Sequence, residues 1–418
     1  MSTPSSILRL AALVALWTPG AAVAQVTFDE AVGLSARSPA AQRARRVLDV
    51  RRAGDVDMGG TAQATTVTLM PGALLTPDAQ RGLELQLSVT QGWNLADLGG
   101  ARRRAAGEER RALAARARAE ALIARLEAAR RWIELRTVEE LERLLVEHAS
   151  VAQGWLEATT RAAEVGVLTS SDVAEVEVVL AELRQRRLQL EGERVEVSAR
   201  LASAMGAAPD EAALTLTTAG RSPAPLLPDE EVMRARLAAI DRDPRVVAPR
   251  LAAAAARARV VEAAAEHAPV FQLGTQLERS AADSWVLFGV AGISFEAFGQ
   301  ERRASSSASA DVEGAEVDAE VERRRAAADF TTALHEVEHT RRQLEVLRER
   351  LLPTLAAVVA RRERSLVLGE GTIFAVIEGR RRLLSARELA VRAEGARTWA
   401  EVRMWTLLSA LDGAGDAR

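Results

Sequence analysis

Two periodicities organise this chain. From Leu83 to Thr90 apolar and polar residues alternate strictly, with Leu83, Leu85, Leu87 and Val89 on one side and Glu84, Gln86, Ser88 and Thr90 on the other. That alternation predicts a half-buried strand and is the clearest strand signal in the sequence. Elsewhere the apolar spacing is three and four. Val173, Val176, Leu180 and Leu183 form a narrow stripe that Leu190, Val197 and Leu201 continue, flanked by Arg and Glu. Such stripes predict helices that pack in a bundle or coiled coil. From about Leu98 to Glu164 no proline interrupts the pattern, and one helix of that length would extend roughly 100 Å.

Turn and cap residues punctuate these patterns. A first helix is expected over about Thr27–Arg52, capped by Thr27 with Glu30 as its reciprocal partner. A β-branched stretch follows at Thr65–Leu69, with turns predicted at Pro71-Gly72 and Pro77-Asp78. Gly166-Val167-Leu168 ends the long helix, and Thr169 with Asp172 caps the next, which closes near Met205-Gly206. Helix is then expected over Glu230–Glu266, broken or kinked by Pro244 and Pro249. Strands are expected at Val270–Leu277 and Trp285–Phe295. A long helix kinked at Pro353 follows over Gln300–Leu368, and Gly369-Glu370-Gly371 breaks it. Thr372 opens a last helix ending near Leu411.

The pattern occurs twice. Ser38-Pro39 answers Asp243-Pro244. Leu98-Gly99 with Arg102-Arg103 answers Phe298-Gly299 with Arg302-Arg303, and Gly166 to Thr169 answers Gly369 to Thr372. Each half reads as helix, two strands, long helix, break, helix. The expected organisation is an export signal at 1–24, a first structural repeat at 25–207, a linker at 208–228, a second repeat at 229–412 and a tail at 413–418. The signal rests on the apolar run Leu8–Trp17, the Pro19-Gly20 break and the small-x-small site Ala22-Val23-Ala24.

Composition narrows the function. Aromatic residues are 3% of the chain and Tyr is absent, while Leu, Ala, Val, Arg and Glu dominate and most of them favour helix. A net charge of -3 with interspersed signs describes solvated helix faces and not a nucleic-acid footprint. The runs Arg102-Arg103-Arg104, Arg302-Arg303 and Arg323-Arg324-Arg325 fit that description. With no Cys there are no disulfides, thiolate metal sites or thiol catalysis. There is no Lys to act as nucleophile, and no Walker loop. Beyond the signal no apolar run is long enough for a transmembrane helix, so a membrane span would have to be a closed β-barrel.

Four strands per chain cannot close a barrel with a lumen, and free edges are untenable in lipid. Several copies must share one barrel; three would give about twelve strands, a pore-like number. The same cyclic assembly would bury the Ala-rich helix stripes. At this point the sequence resembles the TolC family of outer-membrane efflux proteins over about Thr27 to Leu411. The residues that carry the likeness are Ser38-Pro39 and Asp243-Pro244, Gly99 with Arg102 and Gly299 with Arg302, and the turns Gly166–Asp172 and Gly369–Val376.

The resemblance implies a mainly α fold with a small β-barrel contribution, a duplicated long-helix and two-strand repeat, assembled as a trimeric α/β-barrel tube. The barrel would sit in outer-membrane lipid and the helical tube in the periplasm. The homotrimer would be the passive exit duct of a tripartite efflux or type I secretion system, served by a periplasmic adaptor and an inner-membrane transporter. No cofactor, metal or nucleic acid is implied. Glu164, Gly166, Thr169, Asp172, Gly369, Glu370 and Thr372 would mark the periplasmic tip or gate. Leu83, Leu85, Leu87, Val89, Trp93, Trp285 and Phe288 would belong to the barrel wall or its membrane interfaces.

Two other readings compete. One is a periplasmic structural or adaptor-like coiled-coil protein without a pore. The other starts from His335-Glu336-Val337-Glu338-His339, which fits H-E-x-x-H. On a helix the two His would share a face that could hold zinc, with Glu336 activating water. No evident third ligand accompanies them, and a Glu-rich helix generates this spacing easily. The chain is therefore expected not to be an enzyme.

Overall fold

The computed structural model describes residues 25–54, 66–75, 81–208, 214–279, 285–294 and 300–413. The expected export signal lies outside the described residues, as does the expected tail apart from Gly413. The first half contains β1 (Gln25–Thr27), α1 (Phe28–Leu34), a 3-10 turn (Ser35–Arg37), α2 (Pro39–Gly54), β2 (Thr66–Leu75), β3 (Arg81–Asn94), α3 (Leu98–Glu164) and α4 (Ser170–Ala204). There follow β4 (Thr217–Ala219), α5 (Glu230–Ala235), a 3-10 segment (Arg236–Arg242), α6 (Pro244–Glu266), β5 (Val270–Arg279) and β6 (Trp285–Ser294). The chain ends with α7 (Gln300–Val346), a π turn (Leu347–Leu351), α8 (Leu352–Val367) and α9 (Ile373–Leu411).

Local chemistry sets these boundaries. Thr27 and Glu30 form the predicted capping box of α1. Asp97 starts α3, because its carboxylate Oδ1 accepts the Gly100 N–H at 2.8 Å. Pro39 and Pro244 each open a helix at its first position, where a missing N–H costs nothing. The helix expected over Glu230–Glu266 is interrupted near its start by the 3-10 segment ahead of Pro244, and α6 continues through Pro249 to Glu266, the proline offering no N–H to the Arg245 carbonyl. Ahead of Pro353 the long helix carries a π turn over Leu347–Leu351, a widening that accommodates the proline ring and its missing donor. One sequence expectation needs correction. Pro71-Gly72 is not a turn: both residues lie inside β2, opposite Leu85 and Glu84. Within the single chain β2 is an edge strand, where a proline is tolerated.

The chain folds into two units, and both halves of the sequence contribute to each. One comprises residues Met1–Arg43, Glu120–Asp243 and Ala326–Arg418. Its core gathers Val26, Ala31, Trp132, Leu135, Val197, Leu201, Leu216 and Val402. Trp132 is fully buried, with Phe28 edge-on at 5.5 Å between centroids. Within the stretch expected to be a linker, β4 pairs in parallel with β1, Val26 opposite Thr218. Glu139 secures this pair by accepting the Thr218 N–H at 2.8 Å and the Thr218 hydroxyl. A second cluster joins Val138, Leu141 and Leu145 to Leu180, Leu183, Leu190 and Leu384.

The other unit comprises Ala44–Ala119 and Pro244–Arg325 and holds the large sheet. Two hairpins, β2-β3 and β5-β6, join through β3 and β5 in the antiparallel order β2-β3-β5-β6. The register runs from Leu85 opposite Arg279 to Asn94 opposite Val270. Asn94 ties the sheet to α6, its amide donating to the Ala265 carbonyl at 2.8 Å. Beside it Leu98, Ala101 and Ala265 pack together, and Arg102 pairs with Glu266 at 3.2 Å. Alanines 115, 119 and 248 bring α3 and α6 close.

Candidate functional site

Each unit presents one feature that a soluble monomer has no use for. In the sheet unit it is a face. Residues opposite one another across an antiparallel ladder project to the same side. The register therefore places Leu85, Leu87, Val89 and Trp93 of β3 on one face with Val67 and Leu69 of β2. Leu277, Leu273 and Phe271 of β5 join them, as do Trp285, Leu287 and Ile293 of β6. Much of this face is open: Leu69 is 60% exposed, Leu287 68%, Ile293 59% and Trp285 54%. The opposite face is mixed: it carries Thr68, Gln86, Ser88, Thr90, Gln272 and Gln276 together with Met70, Val286 and Val290.

The aromatic residues sort to the two ends of the apolar face. Trp93 and Phe271 are directly paired, ring centroids 6.1 Å apart, and Ile293 completes their row. Trp285 lies in the row of Leu85 and Arg279, with the Arg279 guanidinium 5.7 Å from its ring centre. Phe271 and Arg279 mark the two rows on one strand, so about 27 Å of strand separates them at ~3.4 Å per residue. Mainly aliphatic rows fill the interval, with Gln91 and Thr275 the polar members on this face. Phe288 departs from the expected grouping: it sits an odd number of residues from Trp285, opposite Gln276, and so lies on the polar face. The run Trp285-Val286-Leu287-Phe288 is apolar throughout, so only the register could show which members share a side. Among the described residues the outer edges of β2 and β6 have no strand partner.

In the other unit the feature is a pair of turns. Helix α3 ends in a Schellman motif: Gly166 adopts φ 75°, and the Val167 N–H reaches back to the Ala162 carbonyl at 2.9 Å. Helix α8 ends the same way, with Gly369 at φ 77° and the Glu370 N–H on the Ser365 carbonyl at 2.9 Å. An L side chain in that conformation is strained, which is why both turns use Gly. After the first turn the Thr169 N–H and hydroxyl donate to Asp172 Oδ2 at 2.9 and 2.7 Å, and the Asp172 N–H returns to Thr169 Oγ1 at 3.2 Å. These bonds hold the Asp172 carboxyl below the usual carboxylate range. After the second turn Thr372 accepts only the Ala375 N–H, at 3.3 Å. Ala375 stands where the first repeat has Asp172, so the reciprocal carboxylate is missing.

The turns belong to one end of the unit. Leu168 packs on a cluster of Val176, Ile373 and Ile377, with Trp155 and Leu156 beside it. Arg380 lies over the Trp155 ring at 4.8 Å and its Nε donates to Glu363 at 2.7 Å. Arg381 pairs with Glu182 at 3.2 Å. A small cavity of about 50 Å³ lies among His148, Trp155, Val176 and Ile377. Around this ordered base the turn residues face outward: Val165, Val167, Val367, Leu368 and Phe374 are exposed, as are Glu164 and Glu370. The exposed apolar residues escaped the sequence reading, which weighed the turns for caps and charge and not for unburied Val and Leu.

His335 and His339 share one exposed side of α7, their rings nearly parallel with centroids 6.0 Å apart. Glu336 points elsewhere, its Oε2 accepting Arg403 Nη1 at 2.7 Å. Among the described residues no three His, Cys, Asp or Glu converge as a metal-binding group. The base and the third ligand that a zinc hydrolase requires are therefore not assembled here.

Comparison with known proteins places these features. Residues 237–410 match the model of the outer membrane efflux protein family, in agreement with the resemblance read from the sequence. No curated protein sequence matches the chain. Among solved structures the outer-membrane channel OprN superposes with a TM-score of 0.75 at 19% identity, covering 91% of this chain and 89% of that one. The outer membrane protein VceC from Vibrio cholerae superposes at 0.67 and 17% identity, over 92% of this chain and 95% of that one. The CmeC outer membrane channel of Campylobacter jejuni gives 0.71 and 12%, over 93% and 86%. The fold is thus that of the outer-membrane channel subunits along nearly the whole described chain, including the first half, which the family model does not reach.

Proposed function

We propose that this chain, whose residues 237–410 carry the outer membrane efflux protein pattern and whose fold is that of outer-membrane channels, is one subunit of a homotrimeric efflux duct. The observation that carries this reading is the sheet: one apolar face left open, aromatics at both its ends, and two edges unpaired among the described residues. In water such a face is an aggregation liability, and in lipid free edges cost several kcal/mol per unsatisfied group. Edge pairing of β6 with β2 of the next copy satisfies the edges, and surrounding lipid covers the apolar face. Three four-stranded sheets give about twelve strands, enough to surround a lumen. The apolar face then meets lipid, Trp93 and Trp285 lie at its two boundaries, and the Gln, Ser and Thr face lines water.

In this reading the helices form the periplasmic tube. Glu164, Gly166, Thr169, Asp172, Gly369, Glu370 and Thr372 stand at its entrance. The exposed Val165, Val167, Val367, Leu368 and Phe374 offer an apolar docking surface to a periplasmic adaptor, which in turn joins an inner-membrane transporter. The chain supplies a path and the partners supply the energy.

The deciding experiment is single-channel conductance of the purified mature protein in a planar bilayer, with its mass determined in detergent. Discrete currents from a trimer are the expected result. A well-folded monomer or dimer without current would overturn the pore and favour a periplasmic coiled-coil protein.

A further inference from the structure

The H-E-x-x-H segment is left over from this function, and its geometry is specific. His335 and His339 stand one helical turn apart on α7, both exposed, their rings 6.0 Å apart and 20° from parallel. The neighbouring acids are engaged elsewhere: Glu336 holds Arg403 at 2.7 Å, and Glu338 pairs with Arg342 at 3.3 Å. The buried neighbours Ala333, Leu334 and Val337 anchor this stretch of helix in its unit, so the two imidazoles are carried on a fixed backbone.

We propose that His335 and His339 form a two-imidazole surface site for a late first-row divalent cation, Ni²⁺ or Cu²⁺ in preference to Zn²⁺. Imidazole suits these ions, and the order of affinities places Cu²⁺ highest. Two ligands at i and i+4 on one rigid helix act as a chelate: once the first nitrogen binds, the second is already at high effective concentration. Because no third protein ligand converges among the described residues, water fills the remaining positions. The site therefore binds and exchanges an ion without hydrolytic chemistry. The other two histidines do not supply a rival pair: His148 is buried in contact with Arg387, and His267 follows α6, remote in sequence from both.

The test is calorimetric titration of the full mature chain with Ni²⁺, on the native protein and on His335→Gln, His339→Gln and the double variant. One saturable site per chain is expected, weakened about tenfold or more by either single substitution and absent in the double variant. Glu338→His in the His339→Gln background restores an adjacent pair at i and i+3, and should recover much of the affinity. Both histidines are solvent-facing, so the variants should keep the native melting temperature. Absence of a saturable site in the native chain, or its survival in the double variant, would overturn the proposal. Ion binding does not depend on pore formation, so either result leaves the conductance experiment independent.

Discussion

The indole nitrogen of Trp132 donates to the main-chain carbonyl of Val26 at 2.8 Å, fastening β1 to the middle of α3. The ring is fully buried, so the bond has no water to replace it. Trp132→Phe should therefore cost ~1–3 kcal/mol, the penalty for stranding a buried carbonyl. Trp132→Ala adds a cavity and should cost ~3–5 kcal/mol. Thermal melting of the purified protein would rank the two, and an undiminished stability in Trp132→Phe would contradict this account of the bond.

Two adjacent residues of β5, Leu277 and Gln276, lie at the same depth on opposite faces of the sheet. If the apolar face meets lipid, Leu277→Arg should oppose insertion by ~2–4 kcal/mol, while an arginine on the wet face is tolerated. Outer-membrane fractionation of cells expressing Leu277→Arg and Gln276→Arg checks this. Loss of the first alone is expected; equal recovery of both would exclude a lipid-facing surface.

The two turns should respond differently to acid. The folded Asp172 carboxyl titrates below its ordinary value because Thr169 donates to the charged form. Its contribution is therefore fully present above about pH 4, the unfolded carboxylate range, and is lost as pH falls through the lower folded value. Hydrogen–deuterium exchange should show the first turn of α4 loosening in that range, with Asp172→Ala reproducing the loosened state at neutral pH. The first turn of α9, with Ala375 in the matching place, has no such carboxylate and should show no matching transition.

His148 gives a second pH dependence, higher on the scale. Burial is the first cause of its lowered pKa, and the Arg387 guanidinium adds to it, against an opposing pull from Glu147. Its Nε2 lies 3.3 Å from Arg387 Nη1, while Arg380, Glu182 and Arg186 complete the charged surroundings. The folded state favours the neutral ring, so stability is complete above about pH 6.5 and declines as pH falls below it. The melting temperature should drop between pH 7.5 and 5.5, and the drop should be smaller in His148→Gln. An unchanged slope in that variant would place the acid sensitivity elsewhere.

Much of the helical framework was legible without coordinates because it is local. Leu98 and Glu164 bound α3 as read from the absence of proline and from Gly166, and Thr169 and Thr372 cap the helices they were expected to cap. Each boundary depends on residues within one turn of it, which is the range over which capping and backbone sterics act. The strict alternation of Leu83 to Thr90 likewise revealed a strand and its two faces.

The sequence by itself determined the repeated helices, the turns between them, the two hairpins and the likeness to efflux channels. What it could not determine depended on pairing between distant segments. β4 is too short to signal itself and exists because β1, far away in the chain, binds it. Phe288 could be separated from Trp285 only when β5 supplied a register, because a run of apolar residues has no visible alternation. The partner of Glu336 was equally hidden: Arg403, from another helix, holds its carboxylate. Helix ends and turns are short-range choices that neighbouring residues settle. Sheet faces and charge partners are long-range choices, and only the tertiary structure brings together the residues that decide them.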